Sequence, residues 1–171
     1  MRPITITAGH GGSDPGAVAS GVTERDLMTA LRDIVASKLR AKGLSVRTDG
    51  VRGINDPLAS ALHLIAGRAV SPERHTNAST NPAARGVGVI RLPAQKLQAQ
   101  RVARAIAKVL NTAVRGDGGW IDQRQSARGR LGFVQRGGMV VEVFFISNPA
   151  ELATYQALSW LVASAIVDAV A

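Results

Sequence analysis

The sequence predicts a single α/β domain, in which helices pack against a sheet that contains parallel strands. Its 171 residues are enough to bury one hydrophobic core without disulfides. Strand-like and helix-like segments alternate, and a strand followed by a helix and a second strand implies a parallel pair. Apolar residues make up 46% of the chain but aromatic residues only 4%, which suits helices laid on a sheet better than a large aromatic-lined pocket.

The first strand–helix–strand unit lies at the N-terminus. Residues 4–7 alternate β-branched side chains and are predicted as a strand. A helix should begin after Thr23, a typical N-cap residue that is followed by acidic residues, and should extend along an apolar stripe to Ala41. Gly43 then ends the helix, and residues 44–48 form the second predicted strand.

A second helix and a third strand follow. Asp56 is the expected N-cap, Pro57 the first helical position, and the helix should end near Gly67. The third strand is expected between residues 68 and 75. Because Pro72 cannot donate to a hydrogen-bond ladder, we expect this strand to be irregular or to lie at the edge of the sheet.

The rest of the chain predicts two more strands and two more helices around an irregular region. In order, these are a polar loop over residues 77–86, a strand over 88–92, a helix over 95–114, a Gly- and Arg-rich loop over 115–138, a strand over 139–146 and a helix over 149–170. The last strand is a nearly continuous apolar run, typical of a strand buried on both faces. The last helix starts with the pattern of a capping box, in which Asn148 is the N-cap and Glu151 the acidic partner.

Charge and cysteine content restrict the possible partners and sites. A formal net charge of +9 favours an anionic partner such as nucleic acid, teichoic acid, lipopolysaccharide or acidic membrane, although the excess arginine could equally serve solubility. The chain has no cysteine, so a metal would have to be held by His, Asp or Glu.

No signal peptide and no run of ~18 apolar residues is visible. We therefore expect a chain that is made in the cytoplasm, or a mature or trimmed form.

His10 is the first candidate functional residue. It follows the first predicted strand in a glycine-rich stretch, where open α/β sheets hold their ligands. A lone histidine in such a loop is more often a turn residue, and the loop lacks the Lys-Ser/Thr of a phosphate-binding P-loop.

Glu24 also has a simpler explanation, since a carboxylate in the first turn of a helix stabilises the macrodipole. The loop from His10 to Glu24 nevertheless leaves a strand end and returns to a helix N-terminus, so it can bring both side chains together.

His75 supplies a third candidate at the end of another predicted strand. Two histidines and one glutamate around zinc, with a fourth position for water, form a standard catalytic ligand set. The remaining histidine, His63, lies within a predicted helix, where we expect a structural or solvent-facing role.

Glu142 is the anomaly of the last strand. An unpaired charge buried in this apolar run would cost several kcal/mol. One explanation is a buried ion pair with an arginine. The other is a general base beside a metal, which takes a proton from water.

Four motifs, in order and over nearly the whole chain, resemble those of the zinc-dependent N-acetylmuramoyl-L-alanine amidases of the amidase-3 type. They are Gly9-His10-Gly11-Gly12-Ser13-Asp14-Pro15-Gly16-Ala17, Gly21 with Glu24, His75-Thr76-Asn77-Ala78, and Val141-Glu142-Val143-Phe144-Phe145-Ile146-Ser147-Asn148-Pro149.

The resemblance implies zinc bound by His10, Glu24 and His75, with Glu142 as the catalytic base. It also implies a mixed, mostly parallel β-sheet flanked by helices, with the catalytic domain spanning residues 1–171. The reaction it implies is hydrolysis of the amide bond between the lactyl group of N-acetylmuramic acid and L-Ala of the peptidoglycan stem peptide. The chain departs from the family at Pro72-Glu73-Arg74, where relatives usually carry an apolar strand.

Substrate contacts are expected on two loops. Asn77 could hydrogen-bond to substrate, although loop asparagines more often cap local backbone. Arginines could line a cleft for the stem-peptide carboxylates, or form a solvated face of the loop. They are Arg115, Arg124, Arg128, Arg130 and Arg136.

A compact, basic amidase without a leader is expected to be a phage or prophage endolysin that is made in the host cytoplasm and acts at the cell wall or periplasm, although a trimmed domain of a secreted amidase would look the same. The expected partners are peptidoglycan and anionic wall or outer-membrane polymers, with no nucleic acid, no membrane span and a monomeric state.

Two other functions fit the same residues. One is a non-catalytic basic module that binds anionic wall polymer or nucleic acid, and the other is a zinc peptidase that cuts within the stem peptide.

Overall fold

The computed structural model describes residues 3–65, 72–126 and 129–171. In chain order its elements are β1 Ile4–Ala8, β2 Val18–Ala19, β3 Val22–Thr23, α1 Glu24–Ala41, β4 Val46–Thr48, α2 Leu58–Leu64, β5 Pro72–Asn77, β6 Gly88–Ile90, α3 Lys96–Leu110, β7 Trp120–Ile121, α4 Gly132–Gln135, β8 Met139–Phe145 and α5 Pro149–Val170. Single 3₁₀ turns lie at Pro93–Gln95 and Gln123–Gln125.

Six strands form the main sheet, in the order β4-β1-β5-β8-β6-β7. Neighbours pair in parallel except β6 and β8, which are antiparallel. The short β2 and β3 form a separate hairpin that leads into α1. The prediction of a single α/β domain with a mixed, mostly parallel β-sheet flanked by helices is confirmed.

The two faces of the sheet are covered unequally. In β1, Ile4, Ile6 and Ala8 point into the larger hydrophobic core, which they share with the long helices α1, α3 and α5. Thr5 lies on the other face, where its hydroxyl donates to a backbone carbonyl of α2. The apolar residues of that face form a smaller cluster with the short helices α2 and α4. This thinner layer leaves part of the sheet open.

Strand β8 shows the same division between faces. Met139, Val141 and Val143 belong to the larger core, whereas Val140 belongs to the smaller cluster. Glu142 alternates onto the thinner face and is half-buried, while its neighbours along the strand are buried. The charged residue of the apolar run therefore faces the open part of the sheet.

The expectation of an edge position for the third strand is wrong. β5 lies in the middle of the sheet, between β1 and β8. Pro72 is its first residue, a position at which proline is tolerated in a strand. The pairing with β8 does shift between His75 and Asn77. Residues 68–71, where the strand was expected to begin, lie outside the described part of the chain.

Helices α1 and α3 show how well sequence signals locate helix ends. Thr23 caps α1 by accepting the Asp26 amide hydrogen at 3.1 Å, as expected, and Gly43 follows with φ 79°. α3 was expected to reach residue 114 but stops at Leu110, because Asn111 adopts a left-handed φ of 49°. The residues that follow turn toward β6, and Val114 bridges to Val87.

The second helix starts later than expected. Pro57 occupies the N-cap of α2, without a side-chain cap, so Asp56 is not the N-cap residue. The expected end near residue 67 lies outside the described residues. The loop expected over residues 115–138 contains β7, α4 and one 3₁₀ turn.

Helix α5 begins at Pro149, as predicted. Asn148 caps it by accepting the amide hydrogens of Ala150 and Glu151 at 3.0 and 3.1 Å. The reciprocal half of the capping box does not form, because the Glu151 carboxylate accepts the Phe145 and Gly86 amide hydrogens instead. By length and composition alone α5 could cross a membrane, a test that core helices also pass, and here it packs against α1 and α3.

Candidate metal centre and active-site cleft

His10 lies just beyond β1 in a constrained backbone conformation. Its φ of 64° is uncommon for a residue with a side chain. The buried Asn55 side chain stabilises this turn, since its amide NH₂ group donates to the carbonyls of Ala8, at 2.9 Å, and of His10. Asp14 lies 2.8 Å from His10 Nδ1. The opposite ring nitrogen, Nε2, therefore points toward Glu24, whose Oε2 is 3.3 Å away.

Glu24, the first residue of α1, is 3% exposed. Its Oε2 accepts the Ala17 amide hydrogen at 3.0 Å, and its Oε1 accepts the Thr76 amide hydrogen at 2.9 Å. The carboxylate is thus fixed between the loop that carries His10 and the strand that carries His75.

His75 projects from β5 onto the open face of the sheet. Its Nδ1 is 3.0 Å from Glu24 Oε1, and its Nε2 is 3.2 Å from Oε2 of Glu73. The imidazole lies directly against the backbone of Gly9, where an added Cβ would come within 2.2 Å of a ring carbon. A side chain at residue 9 would therefore displace the ring.

The three side chains meet at one point. One ligand atom each from His10, Glu24 and His75 lies within 4.8 Å of the other two. Two imidazole nitrogens and one carboxylate oxygen match the donor set that zinc takes in hydrolytic sites. The residues present therefore fit a zinc ion.

Hydrogen bonds and burial shift the pKa values of all three side chains of this cluster. Burial alone would raise the pKa of Glu24, but its hydrogen bonds with His10 and His75 outweigh this and hold the pKa well below its usual range. Burial would lower the pKa of His75, yet Glu24 and Glu73 together raise it to about 10. The hydrogen bond with Glu24 also raises the pKa of His10. A site that holds protons this firmly suits a cation.

Glu142 neighbours the cluster across the sheet. Its register partners are His75 on β5 and Gly88 on β6. Both His75 and Glu142 line a cleft of about 1000 Å³ on the thinner face of the sheet, together with His10 and Glu24. The structure thus brings all four sequence-predicted residues to one cleft.

A family model for N-acetylmuramoyl-L-alanine amidases, of the amidase-3 type, matches residues 4–171. The chain belongs to the amidase-3 family.

N-acetylmuramoyl-L-alanine amidases are similar to this chain in sequence and in structure. The chain is 29% identical to the N-acetylmuramoyl-L-alanine amidase AmiC of Neisseria meningitidis serogroup B, over 88% of this chain and 47% of AmiC. It therefore spans about half the length of that relative. A provisionally named N-acetylmuramoyl-L-alanine amidase from Neisseria meningitidis has a crystal structure that is 41% identical, with a TM-score of 0.89 and coverage of 98% of this chain and 93% of that one.

A more distant amidase shares the fold. The catalytic domain of CwlV from Bacillus (Paenibacillus) polymyxa is 24% identical, with a TM-score of 0.82 and coverage of 99% of this chain and 96% of that one. At this level of identity the likeness extends to the fold alone.

The remaining candidates occupy different places in this amidase-3 chain. Asn77 lines the cleft, and its side-chain carbonyl also caps local backbone by accepting the Ala78 amide hydrogen at 2.9 Å. His63 is exposed on α2, which agrees with the expected solvent-facing role.

The candidate arginines separate into two groups. Arg115 lines the cleft, with its guanidinium 4.9 Å from the centre of the Phe145 ring. Arg124, Arg130 and Arg136 are exposed on the loop surface, and Arg124 pairs with Asp122 at 2.9 Å. The fifth member of the set, at position 128, lies outside the described residues.

Two residues that were not predicted from the sequence touch the cluster of His10, Glu24 and His75 in this amidase-3 chain. Asn55 holds the His10 turn from a loop 45 residues away, and nothing in its local pattern indicates this. Glu73 could have been found, because residues two apart in a strand share a face and His75 was already a candidate. The Glu73 carboxylate thus contacts one of the two histidines of the cluster.

Proposed function

We propose that this chain is a zinc-dependent amidase that hydrolyses the bond between the lactyl group of N-acetylmuramic acid and L-Ala of the peptidoglycan stem peptide. One observation carries the proposal: His10, Glu24 and His75 converge within 4.8 Å beside Glu142, in a chain of the amidase-3 family. We propose residues 1–171 as the catalytic domain.

His10 Nε2, Glu24 and His75 Nδ1 would hold the zinc ion. When bound, zinc polarises a carbonyl group and lowers the pKa of water toward ~7. Hydrogen bonds from Ala17 and Thr76 keep the Glu24 carboxylate in place, and Asp14 orients the His10 ring. These contacts fix the ligand atoms before metal arrives, so little ordering is required when it binds.

Glu142 is the proposed general base. From the floor of the cleft, its carboxylate would accept a proton from the attacking water and donate it to the amine nitrogen of L-Ala as the amide bond breaks. The supporting observation is its place in the sheet, next to His75 and directed to the cleft. A positioned acid–base group of this kind typically contributes ~10²–10⁴ in rate.

The shape of the cleft suits a glycopeptide. Apolar side chains from α2 and α4 line one side, where Leu62 and Phe133 are found, and Arg115 lies on another. We propose that Arg115 pairs with a free carboxylate of the stem peptide. Among the described residues that line the cleft, it is the one arginine or lysine. Asn77, which lines the same cleft, is a proposed substrate contact.

We extend the proposal to a bacteriolytic role, as an endolysin of a phage or prophage that acts at the cell wall or periplasm. The net charge of +9 favours association with the anionic polymers of the wall or outer membrane. The protein would act as a monomer, since the proposed site is built from one chain, and would need neither nucleic acid nor a membrane span.

Mass spectrometry of digested peptidoglycan tests the reaction. Purified sacculi would be incubated with the protein, with and without a metal chelator. The expected products are free stem peptides with an N-terminal L-Ala, absent under chelation. Cleavage within the stem peptide would instead indicate a zinc peptidase. Intact sacculi that retain the protein in a salt-dependent way would indicate a non-catalytic binding module.

A further inference from the structure

Glu73 is a buried carboxylate that the proposed reaction does not use. It is 3% exposed and precedes His75 by two residues, so both side chains lie on the open face of β5. Its Oε2 is 3.2 Å from His75 Nε2. Its Oε1 is buried without a hydrogen-bond partner in the described part of the chain. Burial of a carboxylate is unfavourable unless a specific contact compensates, and the contact made here is with the imidazole.

The two imidazoles of the cluster have matching surroundings. Each ring presents one nitrogen to Glu24 and the other to a second carboxylate. For His10 the second carboxylate is Asp14, 2.8 Å from Nδ1, and for His75 it is Glu73, at Nε2. The backbone of Gly9 closes the remaining side of the His75 ring. His75 is therefore held at three points.

The position of the imidazole hydrogen decides whether His75 can bind a metal. A neutral imidazole carries its hydrogen on one nitrogen and binds a metal through the other. A carboxylate that accepts the Nε2 hydrogen leaves the Nδ1 lone pair free to bind. Such carboxylate–histidine contacts beside a metal fix the ring orientation and raise the basicity of the ligand.

We propose that Glu73 is a positioning residue, which accepts the Nε2 hydrogen of His75 and so directs Nδ1 toward the metal shared with His10 and Glu24. This inference rests on the proposed zinc site. It explains why a buried carboxylate stands in the central strand β5, in contact with His75.

Zinc affinity tests the inference without reference to catalysis. The dissociation constant of zinc would be measured by competition with a chromophoric chelator for the wild-type protein, Glu73→Gln and Glu73→Leu. Loss of a carboxylate of this kind typically weakens metal binding ~10–100-fold, and we expect this for Glu73→Leu. Glu73→Gln should lose less, since its amide carbonyl can still accept the Nε2 hydrogen. The visible absorption spectrum of the Co²⁺-loaded protein should change for Glu73→Leu and resemble wild type for Glu73→Gln.

Glu151→Gln is the matched control. Glu151 is also a buried carboxylate, but its contacts are the amide hydrogens of Gly86 and Phe145 and the hydroxyl of Thr112. This variant should lower the melting temperature and leave the zinc dissociation constant unchanged. A merely structural role for Glu73 would give the same pattern as Glu151.

The inference is overturned if Glu73→Leu binds zinc within twofold of wild type with an unchanged Co²⁺ spectrum. Should that variant fail to fold, as judged by circular dichroism, Glu73→Asp replaces it, because the shorter side chain keeps the charge and withdraws from the ring. The Asp variant is expected to weaken zinc binding about tenfold, and an unchanged constant would again overturn the inference. A wild-type protein that binds no zinc would instead contradict the proposed function, and this inference with it.

Discussion

The side chain of Asn55 donates a hydrogen bond to the backbone carbonyl of His10, the residue whose backbone lies in the left-handed region at φ 64°. Asn55 is itself fixed by the buried Arg32, whose guanidinium donates to its side-chain oxygen at 2.7 Å. A chain of buried polar contacts therefore runs from α1 to the turn that carries His10.

Asn55→Ala should destabilise the protein and weaken zinc binding. The substitution leaves the carbonyls of Ala8 and His10 without their donor and Arg32 without one acceptor, and each such buried group costs about 1–3 kcal/mol. Urea denaturation of the metal-free protein and a zinc titration would measure both effects. Asn81→Ala is the control, since Asn81 is exposed and caps only its own loop. Equal stability of the two variants would contradict this role for Asn55.

Glu142→Gln should retain zinc and lose hydrolysis. The amide cannot accept a proton from water, so turnover should fall by ~10²–10⁴, while the three metal-binding side chains remain in place. Release of soluble stem peptide measures the first quantity and metal analysis of the purified protein the second. His63→Gln, on the exposed surface of α2, should match wild type in both. Turnover close to wild type in Glu142→Gln would exclude Glu142 as the base.

Arg115→Ala should reduce kcat/KM mainly through KM. A hydrogen bond to a charged group contributes about 1.5–3 kcal/mol, so a loss of about tenfold or more is expected for substrates with a free stem-peptide carboxylate. Arg124→Ala serves as the control, because Arg124 is exposed and pairs with Asp122.

The same measurement with an amidated substrate identifies the partner of Arg115. Amidation removes the negative charge, so wild type and Arg115→Ala should then differ little. A defect of equal size on both substrates would show that Arg115 acts through its packing on Phe145 and not through a carboxylate.

The contributions of Glu24 and His75 to the stability of the metal-free protein should both be full between pH 4.5 and 6.5, the ordinary pKa values of Glu and His. Glu24 has a lowered pKa, so its contribution is present above pH 4.5 and is lost as the pH falls. The raised pKa of His75 means that its contribution is full below pH 6.5 and is lost as the pH rises toward about 10. His10 acts in the same direction.

With zinc present, the stability of the protein should increase, and not decrease, as the pH rises above 6.5. Both histidines must lose a proton before they can bind the metal, so apparent affinity increases with pH. Melting temperatures measured from pH 4 to 10, with and without zinc, would show two curves that separate as the pH rises. Metal-free stability that increases steadily from pH 6.5 to 10 would contradict the assignment of these pKa values.

Local patterns were enough to predict most elements and the residues that converge on the cleft. The alternation of residues 4–7, the cap at Thr23 and the apolar run of β8 each depend on neighbours in sequence, and each element lies where expected. His10, Glu24 and His75 were predicted to meet because strand ends and a helix start adjoin in this class of sheet.

The order of the strands in the sheet could not be predicted from local sequence patterns. Pro72 indicated a strand that is either irregular or at the edge, and the pairing of β5 is indeed irregular. Its central place depends on which strands flank it, and no local signal carries that information. The contact of Asn55 with His10, 45 residues away, is likewise a property of the folded chain. The end of α3 was missed because an asparagine can continue a helix or stop it in the left-handed conformation.

The unequal covering of the sheet gives the molecule a thick supporting side and a thinner side that borders the cleft. Helices of 18, 15 and 22 residues back one face, whereas helices of 7 and 4 residues border the cleft on the other. Substitutions in the long helices behind the sheet should act mainly on folding, while those at exposed positions around the cleft should act mainly on what it accepts. Exchange of residues 129–138 for the corresponding segment of a relative should therefore alter substrate choice, provided that Phe133 and Val134 are kept, because both pack in the smaller hydrophobic cluster.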